Sequence, residues 1–227
     1  MIRAFLAPNV GPFILFLISV LPFQLEASVI SAQAGRVQNE MVTTRAVLIN
    51  AAIEKALGTQ AVSRDINLSQ LNMNRRASRE LIQQTSATLI EWAVLFEAQA
   101  FGAAAVSEAD VKKARRQLET KVQQNREIQA VLKKAQPTEE EILTILRRKL
   151  RAQKFIQFKI ESSALPISDK EAFDYFEANR LQFEDLPFEK FKPQIKELLA
   201  RQQTDRRIKD WFELLQAKYK IRNELAQ

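Results

Sequence analysis

This sequence predicts a mainly α-helical fold: a multi-helix module with a small N-terminal β-hairpin and a short C-terminal strand that closes the core. Three observations carry that expectation. Apolar residues recur at three- and four-residue steps through most of the chain beyond position 44. Segments led by Ser107, Thr138 and Ser168, each with acids behind them, mark helix starts. Near the two ends, short extended-type pieces replace the helical period.

The first residues read as a secretory signal. Arg3 supplies a positive charge, Val10 to Phe23 is apolar, and Pro22 and small residues follow. The apolar run falls short of the roughly 20 residues that span a bilayer. Cleavage after Ala27 is preferred, because Val29-Ile30 reads as the start of a strand. The small-x-small pattern Ala32-Gln33-Ala34 gives an alternative site after Ala34, and an uncleaved N-terminal anchor is a further reading. Residues 1–27 are thus the expected signal peptide, and residues 28–227 the exported domain.

Val29 to Val37 and Met41-Val42-Thr43 read as two strands around Gln38-Asn39-Glu40, where Asn39 favours a turn. From Thr44 the apolar positions Val47, Leu48, Ala51, Ala52 and Ala56 predict a helix that Gly58 stops. Thr59 to Asn74 is polar and irregular, a loop with room for one short turn. Leu81, Ile82, Leu89, Ile90, Ala93, Phe96 and Ala100 form the stripe of a long helix from Ser78 to Phe101.

The three caps then predict helices over 108–134, 139–162 and 169–179. The first is sparsely apolar and strongly charged, so it is expected on the surface or reaching away from the core. A last helix is expected from about Phe188 to Ala217, although Pro193 would allow a start nearer Lys192. The tail Lys218-Tyr219-Lys220-Ile221-Arg222 alternates as a strand does, and is expected to pair with the N-terminal hairpin.

Composition narrows the chemistry. Cysteine and histidine are both absent, which removes Cys/His zinc sites, Ser-His-Asp triads and Cys-His pairs, and leaves packing to supply stability. The 4 glycines are scattered and make no phosphate loop. No metal, cofactor or catalytic residue is therefore expected. Glu139, Glu140 and Glu141 are consecutive, so they point around a helix and do not converge as a catalytic pair; capping explains them better. The formal charge of +7 suits nucleic acid in a cytoplasmic protein. In an exported one it points to anionic headgroups, acidic client chains or simple solubility.

The order of elements resembles a known family. Val37-Gln38-Asn39-Glu40-Met41-Val42-Thr43-Thr44-Arg45-Ala46-Val47 looks like the opening strand, turn and helix of the SurA-like periplasmic chaperones. Ile167-Ser168-Asp169-Lys170-Glu171-Ala172-Phe173-Asp174-Tyr175-Phe176-Glu177-Ala178-Asn179-Arg180 resembles their Tyr-Tyr-Glu-Ala-Asn helix, with Phe183 beyond it. Ile195 to Ile221 resembles the closing helix and strand. Each match is short, but together they cover nearly all of the exported chain in order.

In that family a parvulin prolyl isomerase domain commonly follows this helix. Here only Glu184-Asp185-Leu186-Pro187 separates Phe183 from the last helix, and the histidines usual in a parvulin site are missing. The resemblance implies a periplasmic holdase that binds unfolded envelope or outer-membrane polypeptides in an apolar groove, without isomerase activity. Phe155, Phe158, Tyr175 and Phe183 are the candidate peptide-binding residues, with core packing the alternative for each. A structural or assembly subunit docking one envelope partner is the rival function, and contact with a membrane surface is a further expectation.

Overall fold

A computed structural model describes residues 32–58, 66–71, 77–163, 165–183 and 186–226. The expected signal peptide, the strand start at Val29-Ile30 and most of the 59–74 loop lie outside them. Within that loop, Leu68–Gln70 forms the one short turn expected, a single 3₁₀ turn.

The hairpin forms from β1 (Gln33–Val37) and β2 (Glu40–Thr43), paired antiparallel around a turn at Gln38 and Asn39. A bulge between Gln33 and Gly35 turns Ala34 into the core, where it is fully buried. Helix α1 (Thr44–Leu57) follows directly; the Thr43 hydroxyl accepts from the Ala46 N–H, and Gly58, at φ 61°, closes the far end. Helix α2 (Arg79–Ala100) starts where expected, with the Ser78 hydroxyl accepting from the Leu81 N–H.

The segment expected as one helix over 108–134 is two. Helix α3 (Glu108–Gln124) ends at Asn125, whose backbone is extended and whose side chain accepts from the Glu127 and Ile128 N–H groups to start α4 (Arg126–Ala135). Nor does this segment reach away from the body. Val111, Ala114, Leu118, Ile128 and Ala135 are buried, and α3 and α4 pack on α1. The sparse apolar stripe is enough, since each of its members is used.

Helix α5 (Glu139–Ser163) begins with a reciprocal cap: Thr138 accepts from the Glu141 N–H while Glu141 accepts from the Thr138 N–H. Ser168 and Glu171 repeat the device at α6 (Asp169–Ala178). Helix α7 (Phe188–Lys218) starts at Phe188 rather than Lys192, with Pro193 inside it. The cause is tertiary: Phe188 and Phe191 pack against α6 and Phe183, and that burial outweighs the one N–H that Pro193 cannot donate.

The C-terminal strand is present but displaced along the chain. Tyr219 caps α7, Lys220 takes φ 49°, and β3 is Arg222–Asn223, antiparallel to β1. The sheet order is therefore β2-β1-β3, with the first and last described strands adjacent. The Gln38 N–H donates to the Tyr219 carbonyl at 2.9 Å, so the tail does close on the hairpin.

Two apolar clusters result. The larger joins the sheet, α1 to α5 and the C-terminal part of α7. The smaller centres on Ala172, Phe176 and Ile195 between α6 and the N-terminal part of α7. The long α7 links them, and Arg207 Nη1 donates at 2.6 Å to the Ser163 carbonyl at the end of α5.

Candidate peptide-binding surface

The four candidate aromatic residues fall into two separate pairs. Phe155 and Phe158 lie on α5, rings stacked with centroids 6.0 Å apart. Tyr175 and Phe183 meet edge to face at 6.5 Å in the smaller cluster. Phe155 is fully buried, so it belongs to the core and touches solvent nowhere. Tyr175 and Phe183 are half-buried, and Phe183 also packs on Phe176 and Phe191 at 5.0 Å each. Of the four, only Phe158 is broadly open, at 48% exposure.

Around Phe155 the structure assembles a patch from three helices. Phe101 at the end of α2, Phe158 on α5 and Trp211 on α7 each lie with ring centroids 5.8–6.0 Å from Phe155. Phe101 is 59% exposed, and Leu214, three residues beyond Trp211, is 68% exposed. Lys159 spans the patch, its ammonium 5.8 Å from the Phe101 ring and 5.7 Å from the Trp211 ring. Phe155 is the floor on which the exposed rings are held.

Such an arrangement suits contact with varied side chains. Rigid aromatic faces take up apolar and aromatic groups without a fixed hydrogen-bond pattern, and the ammonium can meet a carbonyl or carboxylate. Sequence reasoning named Phe158 as a candidate but gave Phe101 only as the end of the long helix, and grouped neither with Trp211. The position of Phe101 next to Gly102, beyond the last helical turn, was the available signal.

Other polar groups are committed to packing. Lys149, almost wholly buried, donates to Glu54 and, at 2.8 Å, to Glu91, tying α5 to α1 and α2. Burial pushes its pKa down, but the two carboxylates outweigh that and raise it above the ordinary lysine value. Glu97 accepts from Lys218 and from the Tyr219 hydroxyl at 2.6 Å each, fixing the end of α7 to α2. Burial pushes the Glu97 carboxyl up, and these hydrogen bonds more than reverse it, leaving it below the usual range.

Glu139 and Glu141 diverge, to Arg115 and Arg45 respectively, while Glu140 lines a cavity of about 310 Å³ beside Arg45 and Arg148. Among the described residues no group of His, Cys, Asp or Glu is placed to hold a metal ion, and no helix is long and apolar enough to cross a membrane.

Comparison of the chain with protein-family models, curated proteins and solved structures gave no match.

Proposed function

We propose that this protein is an exported, holdase-type chaperone that binds unfolded envelope or outer-membrane polypeptides and has no prolyl isomerase activity. The observation that carries this reading is the patch of exposed Phe101 and Phe158 beside half-buried Trp211, set on a buried Phe155 and spanned by Lys159. Large apolar side chains grouped on a folded surface mark interaction sites, and micromolar affinity, about −8 kcal/mol, is enough for clients that must later be released. The short connection between Phe183 and α7 supports a module without an inserted catalytic domain.

Export by the N-terminal segment, with cleavage behind Ala27, completes the reading. It is supported over cleavage behind Ala34 by the use the fold makes of that stretch. Ala34 is fully buried, and the Ala32 carbonyl accepts from the Thr44 N–H at 2.8 Å. Cutting after Ala34 would remove both.

The test is suppression of aggregation of several unfolded outer-membrane β-barrel proteins, with a prolyl isomerisation assay beside it. Protection of several clients with no isomerisation is expected. Protection of none contradicts the holdase reading, and tight binding to a single envelope protein would replace it with a dedicated assembly subunit.

A further inference from the structure

The charges of α3 and α4 are not balanced where they stand. Residues 108–135 contain four carboxylates, and every one is already in an ion pair: Glu108 with Arg147, Asp110 with Lys154, Glu119 with Arg115, and Glu127 with Lys55. Of the eight cations in the same stretch, only Arg115 is ion-paired among the described residues. The acids are spent on α1, α5 and the helix itself, and the remaining cations face outward.

Three of those cations converge. Lys113, Arg116 and Lys121 line a groove of about 400 Å³ between α3 and the end of α1, together with Gln117 and Thr120. Their spacing puts them on one side of α3, while Val111, Ala114 and Leu118 are buried on another. Ala56 and Leu57 form the apolar part of the groove, and among the described residues no carboxylate lines it. Lys121 lies in the last turn of α3, where the helix dipole alone favours a cation; Lys113 and Arg116 do not. Beside α3, α4 adds exposed Arg126, Lys133 and Lys134.

We infer that this groove and the cations flanking it form a docking surface for the phosphate groups of an anionic lipid bilayer. Unpaired guanidinium and ammonium groups are the donors that phosphate takes, and a row of them engages many headgroups at once. The apolar part suits the glycerol region below a headgroup. Among the described residues no aromatic side chain lines the groove to stack a base, which sets it apart from a single-stranded nucleic acid channel. This surface is distinct from the aromatic patch and does not depend on the chaperone reading.

The experiment is co-sedimentation of the full chain with vesicles of equal parts phosphatidylcholine and phosphatidylglycerol, and with phosphatidylcholine alone. Comparison with a triple variant that keeps the same N-terminal segment separates the groove's contribution from that of Arg3 and the apolar residues beside it. Binding that favours the anionic vesicles, weakens at high salt and is not displaced by inorganic phosphate beyond an ionic-strength control is expected. Each basic side chain near such a surface strengthens binding about fivefold, so the triple variant K113Q/R116Q/K121Q is expected to lose about a hundredfold.

The charge-matched control K170Q/K190Q/K209Q, on α6 and α7, is expected to retain binding. All six side chains are exposed, so both variants are expected to keep the parent unfolding midpoint. Three results would overturn the inference: equal losses in the two variants, no preference for anionic vesicles, or tighter binding to a single-stranded oligonucleotide than to the vesicles.

Discussion

Lys149 shows how a charged residue can hold three helices together. It lies in the run Arg147-Arg148-Lys149-Leu150-Arg151, which reads as a solvated face. Its burial is decided by Glu54 and Glu91, 95 and 58 residues away in the chain, and local pattern carries no trace of either. Lys149→Met leaves both carboxylates facing an apolar side chain and is expected to cost about 3 kcal/mol in denaturant unfolding. Gly35 makes a second residue-scale case. A Cβ there would meet the Arg222 carbonyl oxygen at 2.6 Å and Leu89 Cδ1 at 2.7 Å, so β3 and α2 both close on a bare backbone. Gly35→Ala is expected to destabilise by about 2 kcal/mol, measured in the same way. The aromatic candidates on α5 divide by burial for a related reason. Phe155 and Phe158 are about 60° apart around α5, and which one is buried depends on where Phe101 and Trp211 arrive from α2 and α7. Phe158 was legible as a candidate; the surface it belongs to was not.

Helix starts were legible because capping is local: Ser107, Thr138 and Ser168 all act as their sequences indicate. The break at Asn125 was missed, although the six-residue step from Val122 to Ile128 would turn the apolar stripe by about 120° around a continuous helix. Asn125 both ends α3 and caps α4, so Asn125→Ala is expected to cost about 1 kcal/mol. The cap of α5 also gives a pH dependence. Arg45 donates to Glu141 at 2.7 Å, and with the Thr138 N–H it lowers the Glu141 pKa to about 2. A carboxyl depressed in the folded state stabilises fully above its unfolded value near 4.5, and that contribution is lost as pH falls towards 2. Asp169, lowered from 3.8 to about 2 by Lys192 and Lys196, adds a loss over the narrower range between those values. Both carboxylates are open to solvent, so the effect is modest. The thermal midpoint is expected to fall between pH 4.5 and 2, and less steeply in Glu141→Gln.

At the scale of the whole molecule, the sequence foresaw a helical body closed by its two ends, and the β2-β1-β3 sheet is that closure. The displacement of the last strand to Arg222–Asn223 was not foreseeable from alternation alone, because Tyr219 and Lys220 are taken up in ending α7 and reaching Gln38 and Glu97. The division into two apolar clusters was also hidden, since the single stripe of α7 serves both. That division leaves Phe101, Phe158 and Trp211 grouped on the larger body, which is the feature the proposed chaperone activity rests on. The most direct measurement is the concentration of protein needed to halve aggregation of an unfolded outer-membrane β-barrel protein, for the parent and for F101S/F158S. Both rings are about half exposed, so the variant is expected to fold with a nearly unchanged unfolding midpoint. It is expected to need about tenfold more protein for the same protection. Equal protection by parent and variant would show that clients are not held at this patch.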